Sequence, residues 1–98
     1  MASMMTLLEG DVIGMWFSED KQFTLWISKN QQRVEVYFNR KPILSEPFSF
    51  FNNGEGFDCK VSDSVTVTQL FNCNTDELFF HINTADYGIK QWFIKRNL

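Results

Sequence analysis

The feature that most constrains this chain is a strict alternation of apolar and polar residues over residues 22–28 and 33–39. Side chains of a β-strand point to opposite faces in turn, so each segment is predicted to be a strand with one apolar face. If residues 29–32 form a hairpin loop, the apolar residues pair across it as Phe23 with Phe38, Leu25 with Val36, and Ile27 with Val34. A shift of one residue would destroy this match.

The rest of the chain continues with short apolar segments separated by turn residues. Further strands are predicted at 12–17, 48–51, 57–61, 65–71, 78–82 and 89–94, with a long loop at 40–46, turns at 52–56, 72–76 and 84–88, and a bulge at Gln69. The predicted fold class is all-β, an antiparallel meander of about seven or eight short strands in a small barrel or sandwich. With 98 residues, 11 of them Phe, residues 1–98 are predicted to form a single domain around one core.

Residues 1–10 form an N-terminal segment before the first strand. A short helix over residues 4–9 is compatible with the sequence and would cap an open end of the barrel. The segment has no positively charged start and no long apolar stretch, so we expect neither a signal peptide nor a membrane anchor. Its first residues are consistent with an expression scar, and the expected location of the protein is the cytoplasm.

The residues that could carry chemistry are few. His81 is the only histidine and is predicted to point away from the core, whereas Cys59 is predicted to point inward, so a Cys–His nucleophile is not expected. Cys59, Cys73 and His81 lack the ligand spacing of a zinc site, and two cysteines without a leader indicate reduced thiols. The acidic pairs at 19–20 and 76–77 are typical of solvated turns. We therefore expect no enzyme activity, no metal and no cofactor.

Large aromatic residues lie on the predicted outer face of the strands. Trp26 and Tyr37 point outward on the first hairpin, and Phe79 and Trp92 on later strands. Outward aromatics often mark an interface, although these could instead pack under the loop at 40–46 or under the N-terminal segment. The candidate partner-binding residues are Trp26, Glu35, Tyr37 and Trp92.

The charge of the chain limits the classes of partner. A net charge of −3 disfavours nucleic acid, which needs a basic surface, and suits a basic partner better than an acidic one. No membrane partner is expected, and the oligomeric state is left open. The predicted function is a non-catalytic binding protein that docks a protein partner, as a toxin-neutralising immunity protein does.

The segment 11–17, Asp-Val-Ile-Gly-Met-Trp-Phe, resembles the Gly-x-Trp first strand of lipocalin-like and avidin-like (calycin) barrels through Gly14 and Trp16. In that family the Trp lies near the closed end of the barrel, often under a basic side chain from the last strand. The resemblance therefore implies Lys95 or Arg96 above Trp16 in a cation–π contact.

The same resemblance implies an alternative function, a carrier of a small apolar ligand inside the barrel. The residues that would line the ligand site are Trp16, Phe23, Leu25, Val36, Phe38 and Phe80. Inward Phe residues on several strands of a short barrel argue against this function, because they would fill the interior at crystal-like packing density.

Overall fold

Strands form where apolar and polar side chains alternate, and they follow one another along the chain in one antiparallel sheet. The computed structural model describes residues 7–52, 58–68 and 76–96. Within these residues it contains one short helix and nine strands: α1 (Glu9–Val12), β1 (Gly14–Ser18), β2 (Phe23–Ser28), β3 (Arg33–Phe38), β4 (Lys41–Pro47), β5 (Phe51–Asn52), β6 (Asp58–Lys60), β7 (Val65–Thr68), β8 (Glu77–Asn83) and β9 (Gly88–Lys95).

The strand order makes this sheet a meander that curls on itself. The order is β4-β3-β2-β1-β9-β8-β7-β6-β5. Strands adjacent in sequence are therefore neighbours except β4 and β5, and the first strand, β1, pairs with the last, β9. This pairing joins β1–β4 to β5–β9 and leaves β4 and β5 at the two edges. The result is a curled half-barrel, which confirms the predicted all-β antiparallel class.

The hairpin of β2 and β3 has the register predicted from the alternation. Phe23 lies opposite Phe38, Leu25 opposite Val36, and Ile27 opposite Val34. Because a two-residue period fixes which face each side chain takes, the match keeps all three pairs on the inner face of the sheet.

The inner faces of the strands share one hydrophobic core. The largest fully buried side chains are Trp16, Phe80 and Phe93. The Trp16 and Phe80 rings meet edge to face with centroids 5.2 Å apart, and those of Phe80 and Phe93 with centroids 5.4 Å apart. Edge-to-face pairs add about 0.5–1.5 kcal/mol beyond the area they bury, so these rings connect β1, β8 and β9 at the centre of the core.

The N-terminal segment differs from the prediction made for it. The predicted helix at 4–9 lies partly outside the described residues, and the helix present is α1, Glu9–Val12. The first strand, predicted from residue 12, therefore begins at Gly14. Two hydrogen bonds cap the start of this helix. The Leu8 N–H donates to Oδ2 of Asp11 at 2.8 Å, and the Asp11 N–H donates to the Leu8 carbonyl at 2.9 Å.

Residues 7–12 pack against the core and lie beside the turn between β2 and β3. Leu7 and Val12 are buried in the core. The indole N–H of Trp16 donates to the carbonyl of Val12 at 2.9 Å, and Lys29, in the β2–β3 turn, lies 3.4 Å from the carboxylate of Glu9. The helix is therefore attached both to the first strand and to the nearest turn.

Residues 40–46, predicted as a loop, belong mostly to strand β4, so this prediction is wrong. β4 pairs with β3 along its length, with a shift of register after Val36. Pro42 and Pro47 are unfavourable in a central strand because proline cannot donate a hydrogen bond to a neighbouring strand. At the edge of a sheet one side of the strand has no neighbour, so both prolines are tolerated there.

The side chain of Glu46 joins the edge strand β4 to the second half of the sheet. Its carboxylate accepts hydrogen bonds from the Ser62 hydroxyl, from the Ser64 N–H at 2.7 Å and from the Ser64 hydroxyl at 3.0 Å. Just beyond β4, the Ser49 N–H donates to the carbonyl of Val61 at 2.9 Å. The first and second halves of the sheet are thus held together by these contacts as well as by the β1–β9 pairing.

Some sequence-based predictions lie outside the described residues. These are the tip of the 52–56 turn with Phe57, the bulge at Gln69, and most of the 72–76 turn. The strands that flank the first turn do pair, with Phe51 opposite Lys60 and Asn52 opposite Cys59. The first of them is β5, Phe51–Asn52, rather than the predicted strand at 48–51. In the described part of the chain, no helix has the length and apolar character needed to cross a bilayer.

Candidate functional site

A band of apolar side chains lies on the outer face of the sheet, which is turned away from the core. On β1, Met15 and Phe17 alternate with the buried Trp16. The register places Met15 beside Trp26 of β2, and Phe17 beside Ile94 of β9. We call six residues of this face the outer patch: Met15, Phe17, Trp26, Tyr37, Trp92 and Ile94.

Two residues of the outer patch are exposed and the other four are half-buried. Trp26 is 37% exposed and Ile94 is 47% exposed. The prediction that Trp26 lies on the outside is therefore confirmed. The loop expected at 40–46, which could have covered Trp26, is mostly strand β4 instead, and β4 lies beside β3 in the sheet.

Three of the four predicted partner-binding residues lie together on the hairpin of β2 and β3. Trp26 is opposite Glu35 across the two strands. The Tyr37 hydroxyl donates to Oε2 of Glu35 at 2.9 Å. This hydrogen bond, together with burial and the negative charge of Glu35, raises the pKa of Tyr37, so the phenol stays protonated and holds the carboxylate beside the indole.

The fourth predicted residue, Trp92, lies on the same face but apart from the other three. Its ring meets that of Phe79 edge to face with centroids 5.7 Å apart. Its carbonyl accepts a hydrogen bond from the N–H of Glu19, just past the end of β1, whereas Trp26 lies beside Met15 near the start of β1. Trp92 and Trp26 are therefore at opposite ends of the outer patch.

The residues that connect these two ends were not predicted from the sequence. Met15, Phe17 and Ile94 form the middle of the outer patch, and none of them was predicted as a contact residue. The alternation signal was present, because Met15 and Phe17 flank the inward Trp16, and Ile94 follows Trp92 by two positions. The pairing of β1 with β9, which makes them neighbours, has no local signal.

Two open grooves border the outer patch and differ in charge. The larger, of about 460 Å³, is lined by Phe17, Ser18, Glu19, Lys21, Ile94, Lys95 and Arg96. The smaller, of about 300 Å³, is lined by Glu19, Glu77, Trp92 and Ile94. The first groove thus has mainly positive side chains at its rim, and the second has carboxylates.

The six residues predicted to line an interior ligand site all face the core. Five are buried and Phe38 is half-buried: Trp16, Phe23, Leu25, Val36, Phe80 and Phe38. The rings of Phe23 and Phe38 have centroids 4.9 Å apart, and Tyr87, from the turn between β8 and β9, lies 5.3 Å from Phe38. These residues therefore pack against one another, as core residues do.

The surroundings of Trp16 match what the calycin resemblance implies. Nζ of Lys95, on the last strand, lies 5.5 Å from the centroid of the Trp16 ring. Gly14 has a φ of +140°, and a Cβ at this position would lie 2.8 Å from Cε of Lys95. The glycine therefore leaves space for the lysine to reach the indole. Arg96, the other candidate, lies over Phe17 instead, at 5.6 Å.

The residues with catalytic or metal-binding chemistry do not come together. Cys59 is buried, and desolvation, with a smaller effect from Asp58, raises the pKa of its thiol, which keeps it protonated and unreactive. His81 lies opposite Thr66, on the other face of the sheet from Cys59. Among the described residues, no group of three or more His, Cys, Asp or Glu could hold a metal ion. Cys73 lies outside those residues.

Comparisons with protein-family models, with curated proteins and with solved structures found no match to this chain. The antiparallel half-barrel is compatible with a calycin-like barrel in its topology.

Proposed function

We propose that this protein binds a protein partner through the outer patch and does not catalyse a reaction. The observation that carries the proposal is the exposure of two large apolar side chains, Trp26 at 37% and Ile94 at 47%, on one face of the sheet. Met15 and Phe17 connect them through direct cross-strand neighbours. A sheet face in contact with water is normally polar, and connected aromatic and apolar residues there are typical of an interface.

The polar residues beside Trp26 support the same function. The hydrogen bond between Tyr37 and Glu35 holds both side chains in place before a partner arrives. Ordering side chains on binding costs about 0.5–1.5 kcal/mol for each flexible side chain, so this pair lowers the cost of forming an interface. Trp26 would be the main anchor at its end of the outer patch, with Glu35 and Tyr37 as its polar neighbours.

A toxin-neutralising immunity protein is a finer form of this proposal. The net charge of −3 suits a basic toxin, and the size of the chain, 98 residues, suits a compact inhibitor. Under this proposal, a reading frame next to the gene should encode a toxin that the protein inhibits when the two are mixed.

A carrier of a small apolar ligand is less well supported. The contact between Lys95 and Trp16 favours the calycin resemblance. However, the residues that would line the ligand site pack against one another, as the 4.9 Å separation of the Phe23 and Phe38 rings illustrates. Residues that fill the core cannot also surround a ligand without moving apart.

The proposal is tested by quantitative capture of partners from an extract of the source cells. The purified wild-type protein is compared with Trp26→Asp and Ile94→Asp, each of which places a charge at an exposed position of the outer patch. A protein that binds the wild type with a defined stoichiometry should bind each variant at least about tenfold more weakly, since an interface anchor contributes 2 kcal/mol or more.

Leu8→Asp is the matched control, because Leu8 is 64% exposed and lies outside the outer patch. This variant should capture the same partner as the wild type. All variants are checked for wild-type folding by circular dichroism. Equal capture by the wild type and both patch variants would refute the proposal.

A further inference from the structure

Two grooves meet at Phe17 and share its ring as part of their lining. The groove of about 460 Å³ described above shares Phe17 and Lys21 with a further groove of about 300 Å³, which is lined by Phe17, Lys21, Gln22, Thr24, Asn39 and Arg40. We call the combined surface the Phe17 groove. Its apolar floor is formed by Phe17 and Ile94, which are cross-strand neighbours.

The rim of the Phe17 groove is strongly positive. The cations of its rim are Lys21, Arg40 and Arg96, because Nζ of Lys95 lies over Trp16 instead, and the one carboxylate in the lining is Glu19. The ion pairs in the described part of the chain are formed by Lys29 and Lys60, so no described carboxylate neutralises these three cations. A cation without an internal partner is available to bind an anion from outside.

One of these cations is already held in place. The guanidinium carbon of Arg96 lies 5.6 Å from the centroid of the Phe17 ring. An arginine stacked on an aromatic ring keeps its N–H groups available at the edge of the guanidinium plane. Arg96 can therefore bind a carboxylate while Ile94, beside Phe17, contacts an adjacent apolar group.

Two further cations occupy turn positions that favour glycine. Asn39 and Arg40 form the two-residue loop between β3 and β4 with φ angles of 49° and 72°, a turn whose second position strongly prefers glycine. Lys21, in the turn between β1 and β2, has a φ of 64°. A long basic side chain at such a position strains the backbone, and strained residues often serve a function. Gln32 has a similar φ of 53°, but it lies in the β2–β3 turn.

We infer that the Phe17 groove binds an acidic segment of the protein partner, with an apolar side chain of that segment against Ile94 beside Phe17 and its carboxylates at Lys21, Arg40 and Arg96. The inference rests on the proposed function, because it names the chemistry that part of the outer patch recognises. The net charge of −3 does not oppose it, since charges more than about 8 Å away are largely screened at physiological salt and the local charge at the groove is positive.

An anionic lipid surface also presents negative and apolar groups, but the shape of the site favours a peptide. The cations surround a concave groove, whereas a membrane surface binds protruding apolar residues flanked by cations. The overall negative charge of the chain also repels an anionic bilayer at longer range. Lipid binding is therefore an outcome that the test must separate from peptide binding.

The test selects peptides from a phage-displayed random library on the wild-type protein and measures the affinity of the enriched peptides by fluorescence anisotropy. The enriched peptides should combine Asp or Glu with a large apolar residue. The double variant Lys21→Gly/Arg40→Gly should bind them about tenfold more weakly, because it removes two of the cations. The same variant should be at least as stable as the wild type in urea, because glycine adopts a positive φ without strain.

Gln32→Gly is the matched control: it should also be at least as stable as the wild type, yet bind the peptides with wild-type affinity. Peptides without acidic residues, no enrichment, or equal binding by the double variant would each overturn the inference. Binding to phosphatidylserine vesicles that the double variant loses would also overturn it, in favour of a lipid surface. If Trp26→Asp and Ile94→Asp lose the partner while acidic peptides do not bind, the proposed function stands and this inference alone is wrong.

Discussion

At the scale of single residues, the first strand shows how one small residue controls the position of a large one. Trp16 is fully buried, its N–H donates to the Val12 carbonyl, and Lys95 lies over its ring. Lys95 can take this position because Gly14 has no side chain, and the φ of Gly14, +140°, is one that other residues rarely adopt. The Gly-x-Trp pattern thus has a physical reason in this chain.

Gly14→Ala should therefore destabilise the protein. The lysine end is flexible and can move away from a methyl group, but the backbone strain remains and costs about 1–3 kcal/mol. Urea unfolding followed by tryptophan fluorescence measures this loss. Gly10→Ala is the control, because nothing lies within 4 Å of a Cβ at Gly10, which is in α1, so it should be neutral or slightly stabilising. Equal stability of Gly14→Ala and the wild type would contradict the explanation.

A second residue-scale effect concerns Asp20, in the turn between β1 and β2. Desolvation raises the pKa of Asp20, but hydrogen bonds from Ser18, Gln22 and Gln91 together lower it by more, so the net shift is downward. The Ser18 hydroxyl is 2.6 Å and the Gln22 N–H 2.9 Å from Oδ1. The ionised carboxylate therefore stabilises the folded state.

The pH dependence follows from the direction of this shift. The pKa of Asp20 is lower in the folded state than in the unfolded state, where it is about 4. Its ionised carboxylate therefore stabilises the fold above the unfolded-state pKa, and this stabilisation is lost as the pH falls through the folded-state pKa. Asp20→Asn should be less stable than the wild type at neutral pH, with the difference shrinking under acid. Urea unfolding across this pH range measures the difference. Asp86→Asn, in the β8–β9 turn, is the control, and a pH-independent difference for Asp20→Asn would show that the carboxylate charge is not its cause.

At the scale of elements, edge strand β4 depends on one carboxylate for its connection to the second half of the sheet. Glu46 accepts hydrogen bonds from Ser62 and Ser64, and Ser62 is fully buried. A buried hydroxyl that loses its acceptor costs about 1–3 kcal/mol. An edge strand thus contributes to stability through this side chain.

Glu46→Ala should lower the free energy of unfolding by about 2 kcal/mol, because it removes an acceptor with charge-assisted hydrogen bonds to the loop between β6 and β7. Urea denaturation gives the value. The neighbouring Ser45→Ala is the control, since the bond that Ser45 accepts from Arg33 at 2.9 Å is exposed and should contribute little. A loss for Glu46→Ala no larger than for Ser45→Ala would show that this contact is dispensable.

At the scale of the whole molecule, the curled sheet has two faces with different roles. The inner face is occupied by aromatic and aliphatic side chains in mutual contact, among them Trp16, Phe80 and Phe93. The outer face keeps Trp26 and Ile94 exposed. The proposed binding function therefore uses the outer face.

Native mass spectrometry of the purified protein tests this division. The mass should equal that of the polypeptide alone, because core residues in close contact leave little room for a ligand. A small molecule that remains bound under gentle ionisation and dissociates under denaturing conditions would contradict this expectation and support the carrier function instead.

Local pattern in the sequence was enough to predict which face each residue of a regular strand takes. Phe23, Leu25 and Val36 lie inside and Trp26 lies outside, because the two-residue period of a strand is a property of the chain itself. The hairpin register followed for the same reason, since its two strands are separated by only a short loop. Strand β4 was not predicted, because the effect of Pro42 and Pro47 depends on whether the strand is central or at an edge.

Only the tertiary structure decided which distant strands are neighbours. The pairing of β1 with β9 places Ile94 beside Phe17 and brings Lys95 to Trp16, and it thereby creates both the outer patch and the Phe17 groove. Pairing between the two ends of the chain depends on the curl of the whole sheet and on the packing of its core. No short segment carries that information, because the free energy of closing so long a loop is balanced by contacts spread over the entire molecule.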